Sequence, residues 1–345
     1  MPDTKTKLSD VVIPSKFLPY MIERTAALSA FVQSGIVQRT PEFDQLAQDS
    51  GAVNTTALIT MPFWVDISTG AQILSDTTGL TTNKIGSNSD VTAKQGRGTA
   101  YSANQLAPLL IDGDPLKAVA ELLAAYWLRE DQTMLINMLA GVFGAASMSG
   151  NILNIFTEDG NNADPDVNCL NGNTMVDATQ KLGDAKMKLT GIAIHSATDA
   201  FLTKNDLIEL MPDSEGKPTI RTFQGKRVII DDSLPVRVGT TSGNVYTSYL
   251  FGEGAFAQGE RNLENEPVEG GFGSYGLEMS RTANVGDTQL FVRRIFLMHP
   301  RGVKWTANSV AGTFPTNAEL ATSSNWTRVY ENKNVRLVQV NHNNL

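Results

Sequence analysis

GAQILSDTTGLTTNKIGSNSDVTAKQGRGTA, residues 70–100, holds few apolar side chains for its length: Ala71, Ile73, Leu74, Leu80, Ile85, Val91, Ala93 and Ala100. These are too few to build a local core, and the residue mixture is too varied for a simple linker. ALITMPFWVDI (57–67) before it reads as a strand, and TAYSANQLAPLLI (99–111) after it reads as the returning one. Two strands joined by such a polar tip would project several tens of ångströms, at about 3.3 Å per residue. A two-stranded hairpin is marginal alone in water, so residues 55–106 are expected to order against another chain or to move freely. Long polar loops are uncommon in compact domains, which points to a function for this one.

The remainder has the composition of a folded protein. A chain of 345 residues has room for about two domains. With 41% hydrophobic and 19% charged residues it is globular rather than disordered. Its 28 Lys+Arg against 36 Asp+Glu give a net charge of −8, which argues against tight, sequence-reading nucleic-acid binding. No apolar run approaches the roughly 18 residues of a membrane span, and MPDTKTKLSD lacks the apolar centre of a secretion signal. A single cysteine, Cys169, excludes an internal disulfide and any cysteine-built zinc or iron–sulfur site. Three histidines (His195, His299, His342) leave little material for a histidine-rich metal centre.

Working outward from the hairpin, VVIPSKFLPYMIERTAALSAFVQSGIV (11–37) is interrupted by Pro14 and Pro19 and permits a short helix from Tyr20, ended by Gly35. It is either an arm that lies on something else or the first helix of a domain. On the other side, Asp114 can cap a helix that Pro115 opens. Leu116, Val119, Leu123, Tyr126 or Trp127, Met134 and Met138 keep helical spacing, with Gly141 and Gly144 marking the end. Next come a helix capped by Asn173 or Thr174, the strand GIAIHS, and a helix capped by Ser196 or Thr198. Strands follow in GKRVIIDDSLPV, NVYTSYLFGEG and Gln289–Met298, and the Asn/Thr-rich residues 311–345 carry one alternating strand, VRLVQV. Helices and strands intersperse without a βαβα rhythm, so the fold class is α+β.

The candidate motifs have plain structural explanations. Gly252, Gly254 and Ala257 form G-x-G-x-x-A after a strand, but Ala255–Gln258 before Gly259 is too short for the helix that a pyrophosphate requires. Gly271, Gly273 and Gly276 precede a strand instead of following one. His195, Ser196 and Asp199 suggest a nucleophile, yet adjacent side chains at a strand end diverge, and Ser196 reads better as a cap. His299 sits in MHPRG as a hydrogen-bonded turn histidine. Glu260, Glu264, Glu266 and Glu269 lack the spacing of a calcium loop and read as a solvated face. Arg293 and Arg294 lie on opposite sides of their strand and so cannot share one partner. No catalytic, cofactor-binding or metal-binding residue is assigned.

Arm, polar hairpin and spine helix are followed by GIAIHSATDAFLTK (191–204), GKRVIIDDSLPV (225–236), YTSYLFGEGAFAQG (246–259) and LEMSRTANVGDTQLFVRRIFLMHPRGVKWT (277–306). In that order they resemble the tailed-bacteriophage major capsid proteins of the Johnson fold (Hong Kong ninety-seven phage type), from Val11 to Ala307. The resemblance implies an N-terminal arm at 1–54 and an E-loop at 55–108. It implies a P-domain at 109–189 and 266–298, with spine helix 115–142. It also implies an A-domain at 190–265 and 299–310, and a C-terminal tail at 311–345. It implies no enzyme activity and no cofactor, but hexamers and pentamers of an icosahedral shell around double-stranded DNA, and no membrane. Assembly would occur in the host cytoplasm with a separate scaffolding protein and a portal, leaving the protein in the virion capsid. The shell would touch the packaged DNA non-specifically and leave room for a decoration protein. An encapsulin-like nanocompartment is the alternative within the fold; a nucleotide-binding oxidoreductase rests on the glycine patterns alone. Some members crosslink an E-loop lysine to an asparagine with help from a buried glutamate. Lys84, Lys94 and Asn284 are present, but QLFVRRIFLM contains no acid to take the ammonium proton, so a non-covalent shell is expected.

Overall fold

The computed structural model describes residues 32–48, 58–67, 70–77, 79–104, 115–212, 218–261, 272–273, 277–282 and 287–344. The arm as far as Phe31, the Asp114 cap, Gly271, Gly276, Glu264, Glu266, Glu269 and Asn284 lie outside them. Two sheets and one long helix organise the rest. The first sheet runs Val37–Arg39 (β1), Phe256–Glu260 (β11), Asp287–Pro300 (β14), Leu277–Thr282 (β13) and Phe272–Gly273 (β12). The hairpin strands Leu58–Trp64 (β2) and Ser87–Asn104 (β3) join it, β3 pairing with β2 up to Ala93 and with β14 from Lys94 onward. The second sheet runs Ile152–Asn154 (β4), Leu337–His342 (β17), Asn244–Phe251 (β10), Gly191–Ile194 (β5), Lys226–Ile230 (β8), Pro218–Phe223 (β7) and Glu209–Pro212 (β6). Val236–Val238 (β9) pairs with β10. Val303–Trp305 (β15) and Trp326–Arg328 (β16) make a separate ribbon.

The spine helix spans Pro115–Gly144. Met134, Leu135, Met138, Leu139, Val142 and Phe143 are buried along one broad stripe, the i, i+1, i+4 pattern of a helix wedged between two layers. They share a core with Phe296 and Met298 of β14 and with Tyr249 and Phe251 of β10. The helices Gly172–Gln180 and Ser196–Lys204 contribute Met175, Ala178, Phe201 and Leu202 to a second core with Ile192, Ile194, Leu250, Val338 and Val340. The helix Pro41–Gln48 lays Phe43 and Ala47 on Ala257 and Leu297.

Several expectations change. The returning hairpin strand begins at Ser87, not near Thr99, because Ser87–Ala93 find a partner in β2 and Lys94–Asn104 find one in β14. Residues 311–344 are not an open tail. Leu320, Trp326, Val335, Leu337, Val338 and Val340 are buried, and β17 occupies an interior position between β10 and β4. Residues 256–260 and 299–310, which the resemblance groups with the rest of 190–265, pack on the spine-helix side. There β11 pairs with β14, and Val303 and Trp305 enter the spine core. Conversely, 152–154 and 172–180 pack with the second sheet. Gly141 does not end the spine helix. It lies inside it, because the Leu320 carbonyl and Trp326 indole press where a Cβ would stand. Asn171, not Asn173 or Thr174, is the N-cap of 172–180, and Thr174 completes its capping box. His195 caps 196–204, its Nδ1 accepting from Ala197 N at 3.1 Å, so Ser196 and Thr198 are helical residues.

Candidate assembly interface

Among the described residues between the hairpin strands there is no helix or strand, but there are defined contacts. Val65 N donates to Gly86 O at 2.9 Å and closes its base. Farther out, the Gln72 side-chain amide imitates a backbone pair. Its Nε2 donates to Thr81 O and its Oε1 accepts from Thr81 N, each at 2.8 Å. Thus braced, the loop holds its apolar side chains in solvent: Ile73 is 94% exposed, Leu74 80%, and Trp64 at the outer end of β2 76%. Val65, Ile67, Leu80 and Ile85 are exposed as well. Apolar side chains gathered on one projection mark an interaction surface. Each is worth about 1.5–3 kcal/mol when fully buried.

The root is the opposite. Asp90, Val91, Thr92, Ala93 and Gln95 are buried, so the projection springs from a fixed base. A chain of ion pairs stiffens the body beside it. Arg39 Nε lies 3.0 Å from Asp44, which in turn accepts from Glu260 N at 2.9 Å. Glu260 receives Arg294 Nε at 2.8 Å, and the same guanidinium lies 3.3 Å from Asp131 of the spine helix. The backbone N–H of Glu260, helped by Arg39, holds the Asp44 carboxyl below its usual range, whereas burial raises that of Asp131 against the pull of Arg294. Arg294 thereby fastens the residues around β1 and β11 to the spine. Sequence reasoning placed Arg293 and Arg294 on separate faces, and they do take separate partners: Arg293 meets Glu278 at 2.8 Å.

The remaining candidates are structural. Gly252 and Gly254 form a turn that enters β11 with no helix following, and Gly254 has φ +63°. Asp199 pairs with Arg221 at 2.7 Å, and His195 Nε2 lies 3.8 Å from Asp232, so His195, Ser196 and Asp199 do not converge. Burial pushes the Cys169 thiol up to about 11, the state of an inert core thiol. Ser248 and His342 meet at 2.8 Å, but both are sealed from any substrate. Lys84 is exposed in the loop, and Lys94 is half-buried within β3. The carboxylates beside the middle of β14 are engaged by its own arginines, Asp131 and Glu260 by Arg294 and Glu278 by Arg293. His299 is not a turn residue but a buried strand residue facing Asp90. Among the described residues no three His, Cys, Asp or Glu are placed to hold a metal ion, and no helix is long and apolar enough to cross a membrane.

No protein-family model matches the chain. Against curated proteins it is 42% identical over 340 residues to the major capsid protein of Bacillus phage SPP1, covering 98% of each. The capsid of Ralstonia phage GP4 aligns over 97% of this chain and 98% of its own, with a TM-score of 0.62 at 9% identity. The Cyanophage Pam1 capsid aligns over 100% and 99%, with a TM-score of 0.58 at 9% identity. Structural likeness at such low identity shows the shared fold, and the 42% relative supplies the kinship.

Proposed function

Because this chain belongs to the major capsid proteins of tailed phages, we propose that it builds the head shell by lending its hairpin to neighbouring copies. The carrying observation is the set of exposed apolar side chains among the described residues of 65–86. Copies joined head to tail by such unlike surfaces close into rings of five and six. Many contacts of modest strength then sum to a stable shell, with far more buried surface than a transient pair of proteins shares. The protein is a building element of the virion and not an enzyme. The spine helix with the first sheet forms the P-domain, and the second sheet with its two helices forms the A-domain. A separate scaffolding protein, a portal, a decoration protein and non-specific contact with packaged double-stranded DNA complete the set of partners, with assembly in the host cytoplasm. The shell is non-covalent, because Gln289–Met298 of β14 offers no acid and the carboxylates beside it, Asp131, Glu260 and Glu278, already serve Arg294 and Arg293. An encapsulin-like compartment is the second reading of the same fold; shells filled with an enzyme would favour it.

Negative-stain microscopy of the protein expressed alone and with a candidate scaffold tests the reading. Closed particles are expected, and small monomers in both samples would refute it. On a reducing denaturing gel, mature particles should run as one band of single-chain mass; a ladder of multimers would overturn the non-covalent assignment.

A further inference from the structure

We propose that the basic end of the second sheet in one copy seats the acidic end of the same sheet in the next, so that opposite charges join neighbours around a ring. This rests on reading the chain as a ring-forming shell subunit. β10 and β17 run antiparallel, with Phe251 beside Leu337 at one end and Tyr246 beside His342 at the other. At the first end, residues 181–188 and 328–336 hold six cations, Lys181, Lys186, Lys188, Arg328, Lys333 and Arg336, against two carboxylates, Asp184 and Glu331. They form one surface. Asn332 Nδ2 donates to Lys181 O at 3.3 Å, and Arg328 donates to the Asn332 side chain. Gly252, just past β10, has Lys188 O and the Arg336 side chain pressed against it. Lys333 takes Asp184 at 3.0 Å. Lys186 and Lys188 are exposed and pair with no carboxylate among the described residues.

The other end is the reverse. Residues 158–168, EDGNNADPDVN, hold four carboxylates and no cation. Asn343 N, just past β17, donates to Asn168 O at 2.9 Å, and Asn171 Nδ2 donates to the carbonyls of Pro165 and Asp166. These bonds fix the loop to its end of the sheet. Arg237 takes Glu158 at 2.7 Å, and Asp159 is held by Ser242 and Asn162. Asp164 and Asp166 stay exposed. Each end also bares an apolar side chain: Met187, 80% exposed, between Lys186 and Lys188, and Val167, 58% exposed, next to Asp166. Apolar contact inside a polar rim is the ordinary anatomy of a protein interface.

The length of β17 sets the two ends about 20 Å apart. That exceeds the Debye length, about 8 Å at physiological ionic strength, so within one subunit the ends barely feel each other. Such a subunit complements itself only head to tail. Like ends repel, which selects the heterologous contact that closes rings. Packaged double-stranded DNA would occupy the basic end alone and leave the acidic end without a counterpart.

Charge reversal in the full-length chain tests this. One variant carries Lys186→Glu and Lys188→Glu. The other carries Asp166→Lys and Asp164→Asn, the asparagine keeping an acceptor for the N–H of residue 166. Both should keep the circular dichroism and urea midpoint of the parent. In sedimentation velocity at low salt, each variant alone should show an assembled fraction about tenfold below the parent's. Coexpressed in equal amounts, the two should recover most of it, because their altered ends now match; a folding defect would give no such recovery. Variants that assemble as the parent does, or a mixture as poor as its members, would overturn the proposal. So would a Lys186→Glu, Lys188→Glu chain that assembles normally and loses only its affinity for DNA. Both variants keep the hairpin, so these results speak of the charged ends alone; a parent that forms no assemblies would overturn the ring reading and this contact with it.

Discussion

Replacing Ile73 and Leu74 together by serine should abolish shell formation and leave the subunit intact. Both side chains are mostly in solvent in the single chain, 94% and 80% exposed, so their loss removes little packing among the described residues. Surface substitutions of that kind stay within about 0.5 kcal/mol of the parent, and the urea midpoint of the free subunit should hardly move. In the shell the same side chains are expected to be covered. At about 1.5–3 kcal/mol for each buried aliphatic side chain, the pair contributes about 3–6 kcal/mol per hairpin contact. At 1.4 kcal/mol per tenfold, that weakens each contact by roughly a hundredfold to ten-thousandfold, and a closed shell repeats the loss at every subunit. Sedimentation velocity of parent and variant at equal concentration reads the outcome. Particles from the double variant at the parent's yield would refute the reasoning. So would a variant that fails to assemble because it has lost its own stability.

Further predictions concern the body of the subunit. Gly141→Ala would strengthen an ordinary helix by up to about 1 kcal/mol. Here the methyl meets the Leu320 carbonyl and disturbs the Trp326 Nε1 bond to it at 2.7 Å, so denaturation midpoints should fall by the equivalent of about 1–3 kcal/mol; a rise would contradict the packing described. Burial lowers the His342 imidazole to about 4. Below the ordinary histidine value near 6.5 the unfolded chain takes a proton that the folded one refuses, so stability should fall by about 3 kcal/mol in all between pH 6.5 and 4. Above pH 6.5 this residue adds no slope. Acid titration followed by urea melts checks it, and a His342→Gln chain should lack that share of the slope. Arg294→Met leaves Asp131 and Glu260 without their shared cation, and a calorimetric loss of about 3–5 kcal/mol is expected; a neutral result would mean the network is decorative.

What the sequence made legible, and what it hid, follows from where the partners of each segment lie. The spine helix was readable because Pro115 opens it and apolar residues recur along it, both local signals. The helix Pro41–Gln48 was missed, although Pro41 followed by Glu42 and Asp44 is a legible helix start. SNSDVTAKQGRG looked like loop because its inward positions are polar or small. It became strand through β2 and β14, whose positions no local pattern reveals. The resemblance implies a C-terminal tail at 311–345, and apart from VRLVQV the apolar residues there are sparse among Asn and Thr. Each of Leu320, Trp326 and Val335 fills a gap made by elements far away in the chain. Half of the hairpin expectation survives: the outer part, residues 65–86, keeps its apolar residues in solvent, whereas 87–100 lies on its own sheet.

A reconstruction of the assembled particle, fine enough to place side chains, bears on the account most directly through one segment, residues 65–86. Ile73 and Leu74 should rest against an adjacent copy, with Trp64 covered at the same seam. Finding that segment turned back upon its own subunit, or still bathed in solvent inside a closed shell, would contradict it.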